Sequence, residues 1–183
     1  MSERCVVLGV TGSIAAYKAC ELVRLLVKKG CEVRVVMTRS AQEFVTPLTF
    51  KTLSQNSVAT ELFEAPTQWE PGHISLAVRA DVVCVAPATA NIIAKMAHGI
   101  ADDMLSSTLL ATRAPIVVAP AMNDGMWCNE ATQQNIATLK ARGVRFVSPE
   151  EGPLACGTSG PGRLADVNEI VQSVELLLNR GHG

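Results

Sequence analysis

The sequence predicts an α/β protein with a Rossmann-like (flavodoxin-like) parallel sheet sandwiched by helices. Three observations predict it. Short β-branched and apolar runs alternate with helical patterns along the whole chain. Those runs are almost continuously apolar, as strands covered on both faces must be. At 183 residues and 48% hydrophobic content the chain has the length and apolar surface of one domain, residues 1–183.

The first strand is expected over 5–9, before the turn "GVTGS" and a helix over 13–29 with apolar spacing through Ile14, Ala15, Leu22, Leu25 and Leu26. Gly30 ends that helix. A second strand over 31–37 runs into "MTRS", and a short helix is expected over 47–54. Residues 60–72 read as a long connection, of the kind that often carries function. A third strand over 81–86 is stopped by Pro87, and helices follow over 91–98 and 103–112. The fourth strand, 115–119, is stopped by Pro120; a helix over 129–142, a strand over 144–147 and a closing helix over 167–180 complete the pattern. No internal repeat or low-complexity tract interrupts it.

Composition narrows the partners. Sixteen basic and 17 acidic residues are dispersed and leave a net charge of −1, which gives no footprint for nucleic acid or an anionic membrane. No apolar stretch approaches the roughly 20 residues of a membrane span, and the amino end reaches Thr11-Gly12 too soon for a signal peptide. A small-molecule partner and a cytoplasmic location are the expectation. The six cysteines form no C-x-x-C pair, so no metal site is expected. Cys5, Cys31 and Cys84 fall inside strands as small core residues, whereas Cys156, beside a glycine cluster, is placed like a reactive thiol.

In such folds ligands bind at the carboxyl ends of strands. After the first strand, Gly12 and Ser13 open a helix whose backbone N–H groups suit an anion, although simple strand-to-helix punctuation reads equally well. The dinucleotide fingerprint fails, because the spacing is Gly9-x-x-Gly12 with alanine where the later glycine belongs. The second strand end offers Thr38, Arg39 and Ser40 in place of an acidic ribose ligand, and the two ends together favour a mononucleotide. "PATAN" follows the third strand, where Thr89 also reads as a plain helix cap. "PAMNDGMW" follows the fourth. It reads either as a loop packing its Met and Trp into the core, or as a dry pocket in which Asn123, walled by Met122 and Met126, holds a carboxylate through a neutral amide.

The elements "GVTGSIAAYK", "GHISL", "PATAN", "PAMNDGMW" and "ACGTSGPGR" occur in the order and approximate spacing of the flavin-dependent cysteine decarboxylases, which the chain resembles from residue 6 to about 170. The resemblance implies FMN as cofactor, held by Gly12, Ser13, Thr38, Thr89, Ala90, Asn91 and Ala121. It implies His73 as an active-site base, Asn123, Met126 and Arg163 as substrate-binding residues, and Cys156 as the proton donor of a closing loop. The implied reaction decarboxylates 4'-phosphopantothenoylcysteine to 4'-phosphopantetheine in coenzyme A biosynthesis, through thioaldehyde and enethiolate intermediates. A peptidyl-cysteine oxidative decarboxylase and a non-catalytic flavin-binding regulatory subunit are the alternatives. Cys156 in "ACG" favours the first, and the lack of a long acidic tail disfavours the last. The resemblance further implies homotrimers with FMN at subunit interfaces, assembling to a homododecamer. It also implies a possible fused or partner synthetase domain, the chain ending at "NRGHG" as a stand-alone enzyme or an amino-terminal domain would.

Overall fold

The computed structural model describes residues 4–63, 72–153, 157 and 159–180. Strand β1 (Arg4–Val10) leads through a 3-10 turn (Ile14–Tyr17) into α1 (Lys18–Lys28). Strand β2 (Cys31–Met37) is followed by a second 3-10 turn (Arg39–Glu43), α2 (Pro47–Ser54) and the short β3 (Val58–Ala59). Then come α3 (Gly72–Arg79), β4 (Val82–Ala88), α4 (Ala90–His98) and α5 (Met104–Ala111). The chain continues with β5 (Ile116–Pro120), α6 (Asp124–Cys128), α7 (Glu130–Ala141) and β6 (Arg145–Phe146). An antiparallel hairpin, β7 (Glu150–Pro153) and β8 (Ser159–Arg163), precedes α8 (Val167–Arg180).

Six strands form one parallel sheet in the order β3-β2-β1-β4-β5-β6. The expected fold class holds, and the alternation of side chains explains the apolar runs. Val6, Leu8 and Val10 of β1 enter a core under α1, α2 and α8, while Cys5 and Val7 enter a second core under α4, α5 and α7. Each strand residue therefore has an apolar layer to meet, worth about 1.5–3 kcal/mol for each large side chain fully buried. Cys5, Cys31 and Cys84 are buried as expected. Burial, with the Glu32 charge second, raises the Cys5 thiol to about 11, and burial alone raises Cys84 to about 12.

Several elements differ from expectation. The first helix opens as a 3-10 turn, with Ser13 as its cap. Pro87 does not end its strand: the Ala86–Pro87 bond is cis, the register shifts there, and β4 runs on to Ala88. The 144–147 run pairs only through Arg145 and Phe146. "GHISLAVR" is a helix rather than a bare approach to the next strand, tied to the end of α5 by the Thr112 hydroxyl donating to Ala77 O at 3.1 Å. Part of the 60–72 connection lies outside the described residues, as does Cys156. Among the described residues no helix is long and apolar enough to cross a membrane.

The sheet splits its connections between β1 and β4, where β1 runs outward through β2 and β4 runs the other way through β5. One buried hydroxyl fastens the two ends. Thr11 Oγ1 donates to Pro87 O at 2.7 Å and accepts from Thr89 N at 3.0 Å. Thr11→Val is isosteric but strands a buried carbonyl and a part-buried N–H, so it should lower unfolding stability by about 1–3 kcal/mol. Thr11→Ser should retain most of it. Urea denaturation of both variants checks this; equal midpoints for Thr11→Val and the parent chain would refute the clip.

Candidate functional site

The ends of β1, β4 and β5 meet at a cavity of about 510 Å³, lined in part by Gly12, Ser13, Thr89, Ala121, Asn123, Met126, Gly162 and Arg163. Seven of the twelve expected site residues thus stand in one place. The size lies in the range of small-molecule and cofactor sites.

Local chemistry sets each wall. Ser13 N donates to Thr11 O at 2.8 Å, and the Ser13 hydroxyl accepts from Ala15 N at 3.3 Å. Gly12 is a glycine because a Cβ there would overlap Ser40 of the turn after β2. That contact seats the Thr38–Ser40 corner against the β1 end, together with the Thr38 N bond to Val10 O at 3.1 Å. Thr89 caps α4, its hydroxyl accepting from Ile92 N at 3.4 Å, so the cap reading of "PATAN" is correct. Capping uses one lone pair of each hydroxyl and leaves Ser13 and Thr89 their O–H groups as donors. Among the described residues no carboxylate lines the cavity. A donor-rich, carboxylate-free wall fits the phosphate and polar tail of a mononucleotide.

Asn123 caps α6, with Oδ1 accepting from Gly125 N at 2.8 Å. Both readings of "PAMNDGMW" are partly realised: Met122 and Trp127 pack onto the second core, while Met126 turns outward and is 49% exposed. Asn123 is exposed too, so the dry pocket expected around it is not closed within one chain. Sequence reasoning missed what holds this loop. Met122 N donates to Gly162 O at 2.9 Å, Gly160 packs against the Asp124 side chain, and a Cβ at Gly162 would overlap the Met122 carbonyl. The glycines of "GTSGPGR" are the close-approach surface of β8 on the Asn123 loop. Arg163 pairs with Glu150 across the hairpin, Nε to Oε2 at 2.9 Å.

The remaining expected residues are not gathered into this cavity. Thr38 lines a neighbouring cavity with Arg39, Phe63, Asp103 and Met104. Ala90 and Asn91 form the first turn of α4, with Asn91 exposed. His73 lies on α3, and its Nδ1 is buried without a hydrogen-bond partner among the described residues. Ile14, Tyr17 and Lys18, which line the cavity, were missed; in a 3-10 turn positions three apart eclipse, so the Ile14/Tyr17 pair was the available signal. Among the described residues no cluster of three or more His, Cys, Asp or Glu side chains could hold a metal ion.

A parallel sheet with a hydroxyl-capped cavity at its switch point defines a mononucleotide-type α/β protein. The comparisons make this specific: the Flavoprotein family pattern matches residues 1–179, and the chain belongs to that family. The coenzyme A biosynthesis bifunctional protein CoaBC of Haemophilus influenzae is 49% identical over 165 residues, covering 90% of this chain and 41% of that protein. Its Bacillus subtilis counterpart is 49% identical over 175 residues, 96% of this chain and 43% of that protein. The chain spans less than half the length of these relatives. Among solved structures, a mutant PPC decarboxylase complexed with pantothenoylaminoethenethiol superposes with a TM-score of 0.86 at 30% identity, covering 97% of this chain and all of that one. The FMN-dependent cysteine decarboxylase SpaF gives 0.85 at 34% identity, covering 97% of this chain and 98% of that one.

Gly162 has φ +136°, a region that L side chains rarely adopt. Gly162→Ala should therefore separate the hairpin from the Asn123 loop, lowering stability by about 1–3 kcal/mol. Limited proteolysis should cut the variant in the hairpin faster than the parent. Unchanged cleavage together with an unchanged urea midpoint would show that the contact is dispensable.

Proposed function

We propose that this chain is a single FMN-binding domain that decarboxylates 4'-phosphopantothenoylcysteine to 4'-phosphopantetheine in coenzyme A biosynthesis, acting in the cytoplasm as a carboxy-lyase. The observation that carries the reading is the convergence of Asn123 with the hydroxyl-capped ends of β1 and β4 on one cavity. The likeness to a solved PPC decarboxylase along the whole chain supports the substrate. A synthetase domain or partner is proposed on the ground that the bifunctional relatives are more than twice as long as the matched region.

Gly12, Ser13, Thr89, Ala90, Asn91 and Ala121 hold FMN in this reading, with Thr38 approaching from the adjoining corner. Bound FMN supplies a two-electron oxidation of the substrate's cysteine side chain to the thioaldehyde level and the matching reduction after carbon dioxide has left, so the net reaction is redox-neutral. Asn123 binds the substrate carboxylate. A neutral side-chain amide orients the carboxylate without neutralising the charge that must flow out of it. Met126 gives the leaving group an apolar wall, and Arg163, braced by Glu150, fixes the hairpin side of the substrate. His73 removes a proton from the substrate's thiol or Cβ, work suited to imidazole near neutral pH. Cys156 returns a proton to the enethiolate.

Among the described residues His73 does not share the Asn123 cavity within one chain, which supports a site shared between copies of a homotrimer; the homododecamer is proposed on the family resemblance alone. In a cyclic trimer His73 of one copy completes the cavity of the next. The exposed Ile74, Val78 (81% exposed) and Leu110 on the adjoining α3–α5 face are what such an interface would cover.

The protein should purify yellow and release FMN on denaturation, and Asn123→Asp should keep FMN while losing at least about 100-fold in turnover, because two carboxylates repel in a low-dielectric site. Colourless protein that takes up no FMN would sink the reading. Shared sites have their own signature. Inactive His73→Asn and Asn123→Asp chains, refolded together in equal amounts, should regain about a quarter of parental activity if each site draws on two copies in a heterologous ring. No recovery would place both residues in one chain or remove His73 from the site.

A further inference from the structure

Lys18 is the one residue of "GVTGSIAAYK" that points to a charged ligand and has no part in the chemistry above. It lines the Asn123 cavity, and no hydrogen bond or ion pair engages its ammonium among the described residues. Arg163, also on the wall, is paired with Glu150, and among the described residues no carboxylate lines the cavity to offset Lys18. The carboxylate whose field reaches it is Asp166, which is exposed and already accepts from Asn168 N at 2.8 Å and Asn168 Nδ2 at 2.9 Å. Lys18 follows directly on the 3-10 turn that Ser13 caps, which carries its side chain to the cavity wall. An ammonium on a cavity wall with no protein anion bonded to it is free to meet an anionic ligand.

Two phosphate monoesters belong to the proposed reaction, one on FMN and one on the substrate. The donors suited to the flavin's phosphate are the Ser13 and Thr89 hydroxyls at the strand ends, which capping leaves with their O–H groups to give. Lys18 follows the exposed Tyr17 (61%) and is itself half-buried on the cavity wall. With the substrate carboxylate on Asn123, the pantothenoyl arm leads outward to its own phosphate.

We propose that Lys18 binds the substrate's 4'-phosphate and so selects the phosphorylated pantothenoyl arm over unphosphorylated or peptidyl cysteines. The inference rests on the decarboxylase reading above. Lysine serves here as a flexible point charge, able to follow a dianion.

The test compares FMN-loaded parent, Lys18→Met and Lys18→Arg on 4'-phosphopantothenoylcysteine and on pantothenoylcysteine. The parent should prefer the phosphorylated substrate in kcat/KM. Lys18→Met should lose that preference by about 10- to 100-fold, through KM for the phosphorylated substrate and with FMN content unchanged. Lys18→Arg should keep most of it. An unchanged preference in Lys18→Met overturns the proposal, as does a parent with no preference. Loss of FMN with equal losses on both substrates overturns it too, giving Lys18 to the flavin phosphate instead. A parent that turns over neither substrate defeats the decarboxylase reading itself, which is a separate and recognisable outcome. Should Lys18→Met fail to fold, inorganic phosphate decides on the parent: it should compete with the phosphorylated substrate and not with the unphosphorylated one, and the absence of that difference overturns the proposal.

Discussion

Everything at the site depends on the buried Thr11 hydroxyl between β1 and β4. Parallel strands that part company at a switch point leave a crevice whose two lips have no ladder between them beyond the last paired residues. Here the last β1–β4 pair is Gly9 with Val85, and the chains run on past it to Thr11 and Thr89. A side chain takes over where the backbone ladder stops. It satisfies the Pro87 carbonyl and the Thr89 N–H, and thereby fixes how far apart the capped ends of α4 and the Ser13 turn can stand. The third lip follows from the second, because Ala121 N donates to Ala88 O at 3.0 Å. The geometry of three strand ends is one hydrogen-bonded chain.

The hairpin adds the fourth wall by a different kind of force. "EEGP" and "SGPGR" bury almost nothing apolar and have weak strand propensity. They are strands because they pair with each other and because glycine lets β8 lie directly on the Asn123 loop. The Glu150–Arg163 pair is half-exposed, so solvent screens it and its contribution is geometric more than energetic.

The layered architecture was legible because its determinants are periodic. Buried strands announce themselves as apolar runs, and helices such as α1 and α8 as stripes at 3.6-residue spacing. The hairpin was not legible as strands, since its pairing is dictated by tertiary docking. Pro87 misled because a proline ordinarily ends a central strand, whereas here β4 bulges and continues through it. Gly12, Ser13, Thr89 and Asn123 were legible from the rule that strand ends carry function, whereas Ala121, Met126 and Arg163 came from the resemblance to the flavin-dependent cysteine decarboxylases. His73 was legible as a residue but not as a position, for its place on α3 is apart from the cavity. Lys18 escaped notice because a lysine at a helix start looks like surface.

The separateness of the hairpin has a dynamic consequence. β7 and β8 share no ladder with the six-stranded sheet, so breaking their pairing leaves both apolar cores intact. Their amides can open as a small cooperative unit far below the free energy of global unfolding, while those of β1, β4 and β5 exchange only when the whole molecule comes apart. The same chain therefore has a rigid anvil of strand ends and a detachable plate over it, two tiers of protection against deuterium drawn along the seam where Met122 meets Gly162.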